Sequence, residues 1–393
     1  MTEINQWLLP DGIEDILPKQ AIKMESLRRQ ALDLFHSWGY DLVVPPLVEF
    51  TESLLSGTGS DLDLMTFKLT DQVSGRTMGV RADMTPQTSR MDAHSLKRKG
   101  PSRLCYAGPV LYTKPRHPLE SRSPIQIGIE LYGEPGLAAD VEVIRLMMET
   151  LELVDLKNLR LDIGHVAIYE SLLKALSLSD QKEKELFNLV QSKSIPQLNT
   201  WIDSNLDNSV YAKMIRSLVN LVGDVSILDA ARTLLSDAPV EVELALDELQ
   251  SVADTLKESS PNIEICFDLS ELRGYHYHTG IVFAAYAPGA GQAIGNGGRY
   301  NHVGKSFGRS RPATGFNMSL KTLVQLNRNE NPIATGIFVP ATNESDQYRA
   351  IEKLRSAGNR VVMGFHGQEV NSHELGCDRQ LILVGNEFQV VPI

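Results

Sequence analysis

One run of eight residues limits the fold more than any other. Ile125-Gln126-Ile127-Gly128-Ile129-Glu130-Leu131-Tyr132 alternates strictly. Successive side chains of a strand point to opposite faces, so the aliphatic residues share one face and Gln126, Gly128, Glu130 and Tyr132 share the other. An apolar face has to be buried. A polar face holding an amide and a carboxylate suits an antiparallel sheet with a site on one side.

The surrounding pattern extends this to an α+β chain. Ile22, Leu27, Leu32, Leu34, Phe35 and Trp38 recur at helical spacing, and Gly39 ends that helix. Tyr40 to Val44 reads as a strand stopped by Pro45-Pro46. Met78 to Arg81 and Leu104 to Tyr112 read as further strands, with Cys105 a buried apolar residue. From about 168 to 257 the pattern is almost purely helical, broken at Ser179-Asp180, Ser194-Ile195-Pro196, Asp224 and Ala238-Pro239. Strands resume at Ile263 to Phe267 and continue to Phe316, followed by a helix from Ser319. Asn327 to Pro332 reads as a linker. Beyond it come strand Gly336–Pro340, helix Asp346–Ala357 with Gly358 as its cap, strand Asn359–Met363 and a terminal hairpin turning at Gly385-Asn386. The expected domains are a core over 1–328, with a helical insertion at about 168–257, and a small α/β segment over 333–393.

Composition narrows the function. A net charge of −11 over 393 residues is unfavourable for phosphate contacts. Three scattered cysteines with no Cys-x-x-Cys argue against a disulfide framework and a cysteine-rich zinc site. Asp11, Glu14 and Asp15 fall where a signal peptide needs an apolar run, and no stretch approaches the ~20 apolar residues of a membrane span. A cytoplasmic protein without membrane contact is expected.

Two later blocks carry the chemistry. One is Arg273-Gly274-Tyr275-His276-Tyr277-His278-Thr279-Gly280-Ile281-Val282-Phe283; the other is Gly297-Gly298-Arg299-Tyr300-Asn301. They resemble the histidine-binding signature of histidyl-tRNA synthetases, RGLDYYTGxVF followed by GGRYD. The resemblance continues in order along the chain. Asp11 to Pro18 is similar to the opening GxxDxLP element, and Gly39-Tyr40 through Glu49 to motif 1 of class II synthetases. Val80-Arg81-Ala82-Asp83-Met84-Thr85 matches LRPEGT. Ala107 to Glu130 falls on motif 2, and Pro312 to Leu320 on motif 3. The implied fold is the class II aminoacyl-tRNA synthetase core, a mainly antiparallel sheet flanked by helices. The last segment resembles a shortened anticodon-binding domain, with little basic or aromatic surface for stacking bases.

A free amino acid presents an ammonium, a carboxylate and a side chain. Glu130, Asp83, Gln126 and the Thr85 hydroxyl suit the ammonium. Arg273 suits the carboxylate, and Tyr277 and Tyr300 offer polar-tipped aromatic walls for an imidazole. The resemblance implies that these residues, with Arg122, line a histidine pocket. Asp83 is shorter than the family's glutamate, and His278 replaces a tyrosine. The nucleotide positions depart further. Where motif 2 reads FRxE this chain has Leu111-Tyr112-Thr113-Lys114, and where motif 3 ends GLER it has Ser319-Leu320-Lys321-Thr322.

A retained amino-acid pocket beside lost ATP-gripping arginines resembles the histidyl-tRNA-synthetase-like regulatory subunits of ATP phosphoribosyltransferase. Arg81 to Gln87 and Gln126-Ile127-Gly128 look like that family's variants. The resemblance implies a non-catalytic protein in histidine biosynthesis that needs no cofactor and binds no tRNA. Such a subunit pairs as a homodimer within a hetero-octamer, activates a short-form catalytic subunit and mediates feedback inhibition by histidine. Trp38, Tyr40 and the Pro45-Pro46 corner are expected near the two-fold contact. A truncated divergent synthetase and a stand-alone pseudo-synthetase sensor are the alternatives. His276 and His278, read as alternating on a strand, are expected to be ordinary histidines rather than zinc ligands. Gly295 to Gly298 is expected to be a turn permitting close ligand approach.

Overall fold

The computed structural model describes residues 7–57, 60–115, 120–207, 209–259, 263–275, 277–327, 335–341, 345–366 and 374–393. The chain divides into two compact units, Met1–Arg328 and Asn329–Ile393. The proline-ended stretch read as a linker lies outside the described residues apart from Asn327.

The first unit is built on a nine-stranded sheet. Its spatial order is Asp41–Leu42, Ser102–Pro109, Ile125–Tyr132, Ala313–Ser319, Ala293–Arg299, Ile281–Tyr286, Arg160–His165, Glu264–Asp268 and Val222–Gly223. Neighbours run antiparallel except at two joints, Asp41–Leu42 on Ser102–Pro109 and Arg160–His165 on Glu264–Asp268. The alternating octad occupies the predicted strand. Ile127, Ile129 and Leu131 are fully buried in the main core, against helices Pro18–Ser37 and Leu137–Glu152. Met24, Leu27, Ala31 and Phe35 form the inward stripe of the first helix, which stops before Gly39 at φ 83°. A separate three-stranded sheet of Val48–Phe50, Thr77–Val80 and Phe67–Thr70 flanks the site.

Several expectations need correction. The strand read over Tyr40–Val44 keeps only Asp41–Leu42, because Tyr40 turns inward and its hydroxyl donates to Glu142 at 2.9 Å. Tyr40 therefore belongs to the interior of its own chain; Leu42, Val44 and Leu47 are the apolar residues exposed at this corner. The helical insertion also contributes a strand, Val222–Gly223, at the far sheet edge. Gly295 to Gly298 is no turn but part of strand Ala293–Arg299, paired on both sides. Residues 273–275 and 277–278 are not in a strand: Gly274 has φ 62°, and the amides of Tyr277 and His278 both donate to its carbonyl, at 2.7 and 2.8 Å. His276 lies outside the described residues.

The second unit is a four-stranded sheet ordered Val361–Met363, Gly336–Val339, Cys377–Val384, Glu387–Pro392, with helix Ser345–Ser356 supplying Ile351 to its core. Gly358 and Gly385 take positive φ at the helix end and the hairpin turn. No helix among the described residues is long and apolar enough to cross a membrane.

Candidate amino-acid pocket

The polar face of strand Ile125–Tyr132 is the base of the site. Register places Glu130 opposite Gly315 and Gly128 opposite Tyr106 and Asn317. A Cβ on Gly315 would collide with the Glu130 carboxylate, and one on Gly128 would lie 2.7 Å from the Tyr106 hydroxyl. The missing side chains let Glu130 and Tyr106 lie across the neighbouring strand.

Glu130 is fully buried and gripped from two sides. Tyr106 Oη donates to Oε1 at 3.0 Å and Tyr300 Oη donates to Oε2. Burial raises its carboxyl to about pH 8; the Tyr300 hydrogen bond opposes that rise and the nearby Asp83 adds to it. Asp83 closes the next layer. Its Oδ1 accepts from Gln126 Nε2 at 3.0 Å, from Thr85 N at 3.1 Å and from Thr85 Oγ1 at 3.1 Å. Gln126 Oε1 in turn accepts from Met84 N at 3.0 Å. The Thr85 hydroxyl lies 3.4 Å from Tyr106 Oη, which links the two layers. Tyr132, between Thr88 at 2.9 Å and Tyr300 at 3.3 Å, continues the network.

Tyr277 stacks on Tyr300 with ring centroids 4.9 Å apart. Its hydroxyl is buried and has no hydrogen-bond partner among the described residues. An unpaired buried hydroxyl costs free energy unless a ligand meets it. His278 sits edge-on to Tyr277 at 5.3 Å, with Nδ1 3.3 Å from the Arg299 carbonyl; burial lowers its pKa to about 4, so it is neutral at pH 7.

Asp83, Thr85, Gln126, Glu130, Tyr277 and Tyr300 are thus brought together. Arg273 stands apart: its guanidinium donates to Glu271 at 2.9 Å, to Tyr286 Oη and to Asn296 Oδ1 at 3.4 Å. Asn296 is on the same sheet face as Gly298 and Gly315, so Arg273 overlooks the pocket from beyond its glycine-lined side. Arg122 is placed elsewhere. It donates to the backbone carbonyls of Tyr112 at 3.0 Å and Asp11 at 3.1 Å, fastening the N-terminal loop. Arg299, beside Tyr300 in sequence, points to the other face, where it is buried against Asp140 at 2.6 Å and the carbonyls of Glu134 and Gly136. Tyr106 was not singled out from sequence; its signal was the alternation of Ser102–Pro109, which sets it beside Gly128.

The residues at the motif 2 and motif 3 positions have protein partners. Tyr112 is buried in an apolar cluster with Ala82, Met84, Tyr106 and Val110. Lys321 is buried, donating to Ser121 Oγ at 2.8 Å and pairing with Glu14 at 3.1 Å. Thr322 lies in the first turn of helix Leu320–Leu326, its amide 3.4 Å from the Ser319 cap.

Comparison with known proteins fits this geometry. Residues 12–323 match the family described as histidyl-tRNA synthetase, and residues 334–391 match the ATP phosphoribosyltransferase subunit HisZ C-terminal domain. The ATP phosphoribosyltransferase regulatory subunit of Saccharophagus degradans is 50% identical over 393 residues, covering 100% of both chains. That of Pseudomonas syringae pv. tomato is 51% identical over 395 residues, again covering 100% of both. The chain belongs to the ATP phosphoribosyltransferase regulatory subunit family. Among solved structures, an ATP phosphoribosyltransferase regulatory subunit/histidyl-tRNA synthetase from Bacillus halodurans C superposes with a TM-score of 0.82 at 27% identity, covering 94% of this chain and 96% of that one. The histidyl-tRNA synthetase of Nostoc sp. PCC 7120 superposes at 0.80 with 19% identity, covering 98% and 97%, which establishes the shared class II fold. In this regulatory subunit family member the polar face of strand Ile125–Tyr132 carries the carboxylate network, and Tyr112 and Thr322 stand where the synthetase motifs have arginine.

Tyr277 gives a direct test of the pocket. Tyr277→Phe removes a hydroxyl that has no partner among the described residues, so the empty protein should be no less stable. Histidine affinity should fall roughly 3- to 10-fold, about the value of one hydrogen bond. Thermal melts with and without histidine check both halves.

Proposed function

We propose that this chain is a non-catalytic histidine sensor that docks on a short-form catalytic subunit of ATP phosphoribosyltransferase, activates it and relays feedback inhibition by histidine. The observation that supports this most is the buried Glu130 carboxyl, held by Tyr106 and Tyr300, beside the Tyr277 hydroxyl that has no partner among the described residues, with Tyr112 and Lys321 where ATP-gripping residues are absent. The Tyr277–Tyr300 stack and Glu130 share one hydroxyl, so an imidazole placed against the stack meets Glu130. Asp83 is only partly buried and, with Gln126 and Thr85, takes the ammonium. Arg273 takes the carboxylate by swinging from Glu271. Arg122 acts as a support rather than a contact. The large unit supplies this pocket and the small α/β unit is a separate module.

The exposed apolar residues beside the sheet edge support self-association. Asp41–Leu42 ends the nine-stranded sheet with Leu42, Val44 and Leu47 at the surface, and a patch of this kind is covered when two copies meet across a two-fold axis. The homodimer then assembles with the catalytic subunit in the cytoplasm, as a hetero-octamer. Co-expression with a short-form catalytic subunit, followed by light scattering and an activity assay, tests the proposal. The expected result is a dimer alone, a larger complex together, and activity that rises on assembly and falls with histidine. A monomer at micromolar concentration, or no complex, would overturn it.

A further inference from the structure

The turn that carries Tyr277 also reaches the helical insertion. Tyr275, two residues earlier, is half-buried, and its ring lies 5.4 Å from Tyr169, edge-on, and 5.4 Å from Phe187. Tyr169 belongs to helix Val166–Leu176 and Phe187 to helix Asp180–Gln191, the first two helices of the insertion. Where the synthetase signature has leucine, this chain has Tyr275, whose ring forms these edge-on and tilted aromatic contacts.

The turn between the two tyrosines is closed by short hydrogen bonds. Tyr275 N donates to the Leu272 carbonyl at 3.0 Å, and Tyr277 N to the Gly274 carbonyl at 2.7 Å. Gly274, in the left-handed region at φ 62°, is held in a place where a Cβ would lie 2.6 Å from the His278 ring. Tyr275 and Tyr277 are therefore each held by a backbone hydrogen bond to the Leu272–Gly274 stretch. One of the two rings faces the pocket and carries the orphaned hydroxyl; the other is wedged between two helices.

We propose that Tyr275, held to the same Leu272–Gly274 stretch as Tyr277, passes occupancy of the amino-acid pocket to helices Val166–Leu176 and Asp180–Gln191. This rests on the histidine-pocket reading. A ligand that engages the Tyr277 hydroxyl fixes the turn, and Tyr275 then orders the two helices. The insertion is thereby the element that distinguishes the loaded from the empty subunit, and a partner resting on it senses that difference. Tyr275 is a positioning residue: it touches no ligand.

Hydrogen exchange on the full-length protein with and without free histidine tests this, with calorimetry as the binding control. In the native protein histidine should slow amide exchange across residues 166–191 as well as around the pocket. In Tyr275→Leu, histidine should bind within threefold of the native affinity while the response of 166–191 falls at least threefold. Tyr275→Phe and Tyr169→Phe keep the rings and should keep the response. If Tyr275→Leu does not fold, Phe187→Leu removes part of the same contact from the other side and is read the same way. Bound histidine with unchanged exchange in 166–191, or a full response in the folded leucine variant, overturns the relay while leaving the pocket intact. Absence of any binding heat in the native protein overturns the pocket, and the relay loses its input with it.

Discussion

Mixed with ATP, histidine and labelled pyrophosphate, the purified protein should exchange label no faster than buffer. Adenylate formation needs preorganised cations at the α-phosphate. The two positions where the synthetase signature supplies arginine hold Tyr112, buried in an apolar cluster, and Thr322, in a capped helix turn. Hydrogen bonds to charged groups are worth roughly 1.5–3 kcal/mol each, so losing two removes about 3–6 kcal/mol, or a factor on the order of 10² to 10⁴. The double change Tyr112→Arg and Thr322→Arg should not restore exchange. Lys321 already occupies its surroundings through Ser121 and Glu14, and Lys114 replaces the carboxylate of motif 2. Histidine-dependent exchange above the control would refute the regulatory assignment and favour a working synthetase.

Glu130→Gln should separate binding from stability. In the empty pocket the carboxyl holds its proton up to about pH 8, because burial disfavours the charge. An imidazole placed beside it can share that proton as an ion pair, with Tyr106 and Tyr300 donating to the carboxylate. Glutamine keeps the shape but has no acidic proton to transfer and cannot become the anion of the pair. Histidine affinity should drop roughly 10- to 100-fold, the value of one charged hydrogen bond, and inhibition of the complex should weaken equally. Assembly should persist, since Glu130 is buried and presents no surface to a partner. The pH dependence of stability gives a second readout. The folded pKa is raised above the unfolded value, so the stabilising contribution is full below about pH 4.5 and is lost as pH rises through about 8. Melting temperatures of the ligand-free protein should therefore fall across that window, and the decline should be shallower in Glu130→Gln. An unchanged histidine midpoint in a folded, assembled variant would place the inhibitor elsewhere.

What could be read from the sequence follows the strength of its periodicity. Strand Ile125–Tyr132 and helix Pro18–Ser37 announce themselves because each has one apolar face and a defined end. The family resemblance located Asp83, Gln126, Glu130 and Tyr300, which the fold gathers around one carboxylate network. Residues 273–278 misled, since alternating aromatics and histidines imitate a strand while a single glycine decides for a turn. Gly295 to Gly298 misled in the opposite sense: glycine usually marks turns, but here it clears space inside a sheet. Arg122 was out of reach, because its partners are backbone carbonyls brought near only by the path of the N-terminal loop.

The stripped patch of sheet under Glu130 also bears on how such a protein can drift. Any side chain at position 315 would occupy the space of the Glu130 carboxylate itself, and any at 128 that of the Tyr106 hydroxyl. These positions admit no intermediate size: the cleft is either bare or blocked. The positions of Tyr112 and Lys321 are different, since each side chain packs or pairs with its own neighbours and neither fills the space beside Gly315 or Gly128. Substitutions around Tyr112 and Lys321 can thus vary in small steps, while positions 315 and 128 tolerate none. In a fold of this design the bare strip of sheet is the part least free to change.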